Sequence, residues 1–291
     1  MARRARPLVM GIVNVTPDSF SDGGITFRPD EARQRAEQLI ADGADLLDIG
    51  GESTRPGARS VPVAEELRRV LPVLLQLGPH PRIPISIDTS KAEVAEAALE
   101  RGASIINDVT ALRGDARMAA LAARTGATVI LMHMRGEPRT LQRGPRYRDV
   151  VTDVCEFLSE AIRGAVPSGI MRSRIWIDPG LGFGKTARHN LELLRRLPEL
   201  GVLGCPVVVG PSRKSFIGHV LHADVDDRCA GTLACVAQAA EAGAGVVRVH
   251  DVKATVQLLT MWEAVRNATG RQYRSRRHRA ASPAGLAAGS G

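Results

Sequence analysis

LVMGIVNVTPDSFSDGG, residues 8–24, begins with an apolar run and then changes character. The next eleven residues hold Asn, Thr, Asp, two Ser, Pro and a glycine pair. An unbroken apolar run, rather than an alternating one, marks a strand buried on both faces, as in parallel sheets. A two-residue turn would suffice to reverse direction, so eleven residues rich in polar side chains after a buried strand imply a connection with work to do.

The same grammar recurs along the chain. Strand-like runs fall at 8–13, 46–50, 83–88, 104–109, 128–133, 174–179, 206–210 and 246–251, each followed by polar residues and a helical pattern. Helix-like segments at 29–43, 91–102 and 251–265 separate some of them, and the first two end on Gly43 and Gly102. Repeated βα units predict an α/β fold, a (β/α)8 TIM barrel in one domain. A doubly wound open sheet is the competing architecture, but it would not need a polar residue at the end of nearly every strand. The domain spans 7–269, preceded by a basic extension, 1–6, and followed by an Arg/Ala/Gly-rich tail, 270–291, expected to be disordered.

Charge needs to be located before it is interpreted. The 291 residues carry 39 Lys and Arg against 31 Asp and Glu. Eight of the basic residues are arginines in the two ends, so residues 7–269 are formally neutral. The high isoelectric point therefore belongs to the ends, and specific nucleic-acid binding by the domain is not expected. Four cysteines form no CxxC pair and read as reduced thiols. No apolar run approaches a membrane span, and the basic start lacks the features of a secretory signal, so a cytoplasmic protein is expected.

In a barrel of this kind the active site lies at the carboxyl ends of the strands. The polar residues there are Asn14, Asp48, Asp88, Asn107, His133, Asp178, Lys214, Arg248 and His250. Strand parity places Met10 with Asn14, Ser86 with Asp88, Ile105 with Asn107, and Trp176 with Asp178 on shared faces, each polar group topmost. Asp88, Asn107 and Asp178 suit a flat heterocycle rich in N–H donors, because a carboxylate accepts two adjacent donors at once. Lys214 complements a ring oxygen or nitrogen. Arg248 and His250 suit an anion, and phosphate sites in this fold often form after strands 7 and 8.

Eight blocks carry a family resemblance: NVTPDSFSDGG (14–24), DIGGESTRPGA (48–58), SIDT (86–89), IND (106–108), MHM (132–134), DPGLGFGKT (178–186), GPSRKS (210–215) and RVHDV (248–252). In this order the chain resembles the dihydropteroate synthases, pterin-binding enzymes, over about residues 7–265. The resemblance implies condensation of 6-hydroxymethyl-7,8-dihydropterin diphosphate with 4-aminobenzoate to give 7,8-dihydropteroate and diphosphate, by SN1-like loss of a Mg2+-bound leaving group. It makes Asp88, Asn107, Asp178 and Lys214 the pterin cradle, with Met132 and Phe183 as apolar neighbours. Asn14 is implied as the Mg2+ ligand, and Thr54, Arg248 and His250 as contacts of the diphosphate. Phe20, Arg55, Pro56 and Ser215 correspond to the 4-aminobenzoate pocket. Asp88, Asp178, Lys214, Arg248 and His250 form the catalytic set. The first loop and residues 50–58 correspond to a paired lid. A homodimer and sulfonamide targeting are implied as well.

Two rival readings explain less of the sequence. A pterin-binding methyltransferase would share the acidic cradle but has no reason to keep the diphosphate-directed loops. A regulatory module would rely on the basic tail. The loop at 136–142, GEPRTLQ, departs from the family pattern and bears on substrate affinity rather than on the reaction.

Overall fold

The computed structural model describes residues 6–16, 29–53, 60–136 and 145–268. Strands β1 (Leu8–Asn14), β2 (Leu46–Gly50), β3 (Ile85–Asp88), β4 (Ile105–Asp108), β5 (Thr128–Met132), β6 (Ile175–Asp178), β7 (Val208–Val209) and β8 (Val246–Val249) are all parallel. Their hydrogen-bonded order runs β6-β5-β4-β3-β2-β1-β8-β7. A parallel bridge between Ile177 and Val207 brings the two ends of that order together. The sheet is a barrel, as expected, and the open-sheet alternative is excluded because that bridge joins the two end strands of the order into a closed ring.

Around it lie α1 (Pro29–Ala41), α2 (Val63–Leu77), α3 (Ala92–Leu99), α4 (Met118–Thr125), α5 (Val150–Ala165), α6 (Ala187–Arg195), α7 (Ser215–Leu221), α8 (Cys229–Glu241) and α9 (Val252–Arg266). The connection from β7 to β8 carries two of these helices, where one would close the unit. The chain leaves α3 through Gly102, whose φ of +98° is a backbone state that side chains other than glycine rarely adopt. Asp149 caps α5 by accepting from the Thr152 amide at 2.8 Å, and Thr186 with His189 forms a capping box on α6.

Period-two strands divide their apolar residues between two layers. Met10, Leu46, Ile105, Ile130, Val208 and Val246 fill the barrel interior with Trp176 against them. Val9, Leu47, Ile87, Ile106, Leu131, Ile177 and Val247 face outward to the helices. Each fully buried Val, Leu or Ile contributes about 1.5–3 kcal/mol relative to an exposed one. Aliphatic residues thus supply what the scarce aromatics do not.

β3 and β7 each start two residues into their apolar runs. β3 starts at Ile85 although the run begins at 83, because Pro84 has no N–H for the ladder. β7 is two residues long, bounded by Pro206 and Gly210, yet Pro206 still accepts from the Ile177 amide at 3.0 Å. The lid residues from 17 to 24, the 54–59 segment, most of the 136–142 loop and, apart from Arg6, both basic ends lie outside the described residues. The expectations for those segments, disorder of the tail included, go with them.

Candidate active site

Interior packing stops partway up the barrel, and polar residues take over at the carboxyl end. Register explains which ones meet. Ile12 pairs with Asp48 and Asp48 with Ser86, while Gly50 pairs with Asp88 and Asp88 with Asn107. Asp178 is the last residue of β6, level with Met132 of β5. Arg248 pairs with Met10, one residue pair below the rim.

A charge network ties these strands together. Arg248 donates from Nε to Asp48 Oδ2 at 2.5 Å and from Nη2 to Asp88 Oδ2 at 2.7 Å. Asn107 Nδ2 donates to the same Asp48 oxygen at 3.1 Å. Asp48 is fully buried, and its Oδ1 has no protein partner among the described residues, nor has the Oγ of the adjacent Ser86. Burial of a charge without partners would be prohibitive, so Arg248 and Asn107 are what permit a carboxylate at this depth.

Burial pushes the Asp88 carboxyl up to about 7, with repulsion from Asp48 adding and Arg248 opposing. Burial also raises Asp178, against the attraction of Lys214 and the Gly180 amide that donates to its Oδ1 at 2.6 Å. Lys214 is brought down to about 8 by burial, opposed by Asp178. Burial works against the Arg248 charge, but Asp48 and Asp88 outweigh it and hold the guanidinium above its ordinary value. Shifted groups gathered in one concave mouth mark a functional site.

Beside the acids lies an apolar slot. Val109, Met132 and Met134 form a buried cluster with Phe183 against it. Lys214 Nζ sits 4.7 Å from the Phe183 ring centroid and donates to the Leu181 carbonyl. A flat ring entering this slot would have carboxylates at its edge and an ammonium nearby. His250 completes the β8 side, its Nδ1 2.9 Å from Ser212 Oγ and its carbonyl accepting from Arg35 Nη2 at 2.6 Å.

The structure therefore gathers Asp88, Asn107, Met132, Asp178, Phe183, Lys214 and Arg248 around one mouth. His250 lies two residues beyond Arg248, Asn14 is half-buried at the end of β1, and Ser215 is exposed at the start of α7. Phe20, Thr54, Arg55 and Pro56 lie outside the described residues.

Among the strand-tip residues His133 is a correction. Its ring packs edge-on against Phe157 of α5 at 4.8 Å and meets Lys185 Nζ at 2.8 Å through Nδ1, on the outside of the barrel. Parity carried the signal, since Ile130 and Met132 point inward and 133 must point out. Burial and then Lys185 press its pKa down to about 2, so the ring is neutral. Asp48, left without a role by sequence reading, is the hub of the charge network. The signal was again parity, because it alternates with inward Leu46.

An eight-stranded parallel barrel with buried acids, two cations and an apolar slot at its carboxyl-end mouth is built as an enzyme site for a flat polar ligand. The family profile described as "Pterin binding enzyme" matches residues 10–250. Dihydropteroate synthase of Escherichia coli (strain K12) is 46% identical over 264 residues, covering 91% of this chain and 93% of that protein. The dihydropteroate synthase of Xanthomonas albilineans, solved with 4-aminobenzoic acid, is 50% identical with a TM-score of 0.85, covering 91% of this chain and 94% of that one. The Yersinia pestis synthase, solved in complex with a sulfonamide drug, is 46% identical with a TM-score of 0.86, over 90% of this chain and 95% of that one. The chain belongs to the pterin-binding enzymes, within the dihydropteroate synthases, a group of transferases.

Proposed function

We propose that this chain condenses 6-hydroxymethyl-7,8-dihydropterin diphosphate with 4-aminobenzoate, giving 7,8-dihydropteroate and diphosphate. The observation that carries the reading is the pairing of an acid-edged apolar slot with Arg248 in one mouth. Asp178 and Asn107 would accept and donate at the edge of the pterin, with Met132 and Phe183 against its faces and Lys214 at the ring oxygen or a ring nitrogen. Arginine has five N–H donors, and two bonds to Asp48 and Asp88 leave donors for diphosphate oxygens. Asn14, Thr54 and His250 are assigned to the same end of the substrate.

The bond that breaks joins the pterin methylene carbon to the diphosphate oxygen, which departs with the electron pair. The carbon left behind is cationic and conjugated to an electron-rich ring. Asp88 and Asp178, fixed and poorly solvated, stabilise that charge without reorganising as it develops. Arg248 and His250 receive the growing negative charge on the leaving group. The amine of 4-aminobenzoate then forms the C–N bond and sheds one proton, with no strong general base required. Phe20, Arg55, Pro56 and Ser215 are assigned to hold 4-aminobenzoate.

Mg2+ fits the donor set. Among the described residues no three His, Cys, Asp or Glu side chains are grouped to hold a metal, while the Asn14 amide stands at the mouth. That suits an ion which keeps several waters and binds through substrate phosphates plus one or two protein oxygens. When bound it would neutralise charge on the departing diphosphate.

A homodimer is proposed on the exposed apolar residues Leu191 of α6 and Val220 and Leu221 of α7. A cytoplasmic setting fits the free thiols of Cys155, Cys205, Cys229 and Cys235, and no helix among the described residues is long and apolar enough to cross a membrane. Sulfonamides, which resemble the arylamine substrate, are expected to compete at the 4-aminobenzoate pocket. The deciding experiment is turnover of purified protein with both substrates, with and without Mg2+. No dihydropteroate under saturating conditions would reject the reading.

A further inference from the structure

The connection from β6 to α6, residues 179–186, turns back over the pterin slot and is gripped from two sides. On the slot side Lys214 takes the Leu181 carbonyl. On the far side lies Lys185, a lysine only 8% exposed. Its Nζ is 2.9 Å from the Gly180 carbonyl, 3.1 Å from that of Phe183, 2.8 Å from His133 Nδ1 and 3.4 Å from the His133 carbonyl. Burial pushes the amine well below the usual lysine range, and its N–H donors, two or three according to protonation, all find acceptors among these four atoms. Resting on the dihydropteroate synthase reading, we propose that Lys185 is a positioning residue for pterin, setting Asp178 and Phe183 from beneath the loop without touching substrate.

The geometry makes the loop responsive to one side chain. Gly180 gives its carbonyl to Lys185 and its amide to Asp178 Oδ1 at 2.6 Å, so one residue links the buried amine to the carboxylate. Holding the Phe183 carbonyl fixes the ring that faces Lys214. Gly180 (φ +66°) and Gly184 (φ +63°) lie so close to the His133 and Arg135 carbonyls that a Cβ at either would overlap them, and the loop is pressed onto the end of β5. Beyond it the capping box of Thr186 and His189 anchors α6. Between these fixed points Lys185 pairs the Phe183 carbonyl and adds a second donor to that of Gly180, which also accepts from the Phe183 amide at 3.1 Å. No carboxylate accepts from it among the described residues, so packing, carbonyl dipoles and His133 Nδ1 hold the amine there.

The test compares Lys185→Met, which keeps the volume and discards the donors, with Val154→Ala, which opens a cavity at a buried position of α5 and removes no hydrogen-bond donor. Lys185→Met should raise the KM for the pterin diphosphate roughly tenfold or more and leave that for 4-aminobenzoate within about twofold. Val154→Ala should lower thermal stability and leave both values unchanged. A wild-type pterin KM in Lys185→Met, or an equal rise of both KM values, or an equal pterin effect in Val154→Ala, overturns the proposal. Should the Met variant fail to fold, Lys185→Gln, with a shorter donor, takes its place: an intermediate loss of 6-hydroxymethylpterin affinity supports the role, and wild-type affinity refutes it. Wild type that binds no 6-hydroxymethylpterin and makes no product defeats the synthase reading itself; active wild type with an unaffected variant defeats only the inference.

Discussion

Replacing Asp48 by Asn alters one atom at the floor of the mouth. The change removes a buried charge that accepts from Arg248 Nε at 2.5 Å and from Asn107 Nδ2 at 3.1 Å. Breaking a buried ion pair by deleting one partner costs about 3–5 kcal/mol. Asn keeps an acceptor oxygen and Arg248 keeps Asp88, so a smaller loss, about 2–3 kcal/mol, is expected. In a barrel of this size that lowers Tm by roughly 5–10 °C. The pH profile gives a second, sharper readout. Asp88 is pushed up to about 7 by burial, with Asp48 the next cause. The proposed role needs Asp88 ionised, so kcat/KM falls as pH drops through that value. Removing the Asp48 charge lets Asp88 ionise more readily, and the acid limb moves to lower pH even as the plateau falls. Steady-state kinetics across the pH range, with calorimetric unfolding alongside, measures both. An acid limb that stays in place or moves upward would refute the coupling.

Other outcomes follow from the same geometry. The alkaline limb of kcat/KM should fall near pH 8, where Lys214 loses the proton it needs to face the ring oxygen, and Lys214→Arg should shift that limb upward. Arg248→Ala should abolish diphosphate binding and also destabilise the fold, since two buried carboxylates lose their cation; near-normal turnover would discard its role. Asp178→Ala should weaken pterin binding by about 1.5–3 kcal/mol while sparing 4-aminobenzoate, as calorimetry would show. Lys91 bridges Glu52 and the fully buried Glu66, tying the root of the 54–59 segment to α2, so Lys91→Met should raise the KM for 4-aminobenzoate and lower Tm. Chelation of Mg2+ should stop turnover and leave 6-hydroxymethylpterin binding intact.

The barrel was legible because each strand carries its own signature. Apolar runs set the strands, and alternation set which residues point inward, so Met10, Ile105 and Trp176 in the core and Asp88, Asn107 and Asp178 above them were determined by local pattern alone. The resemblance of the motif blocks then gave those tips a chemistry. Partnership was not legible in the same way. Asp48 and Arg248 lie 200 residues apart, and only closure of β1 against β8 makes them an ion pair. His133 looked like one more tip until parity turned it outward, and Lys185 looked like part of a glycine-rich loop until the fold placed it beneath Gly180 and Phe183. A strand's period is fixed by the backbone and can be read one segment at a time. Which charge neutralises which depends on the register around the closed barrel, and the three-dimensional packing decides it.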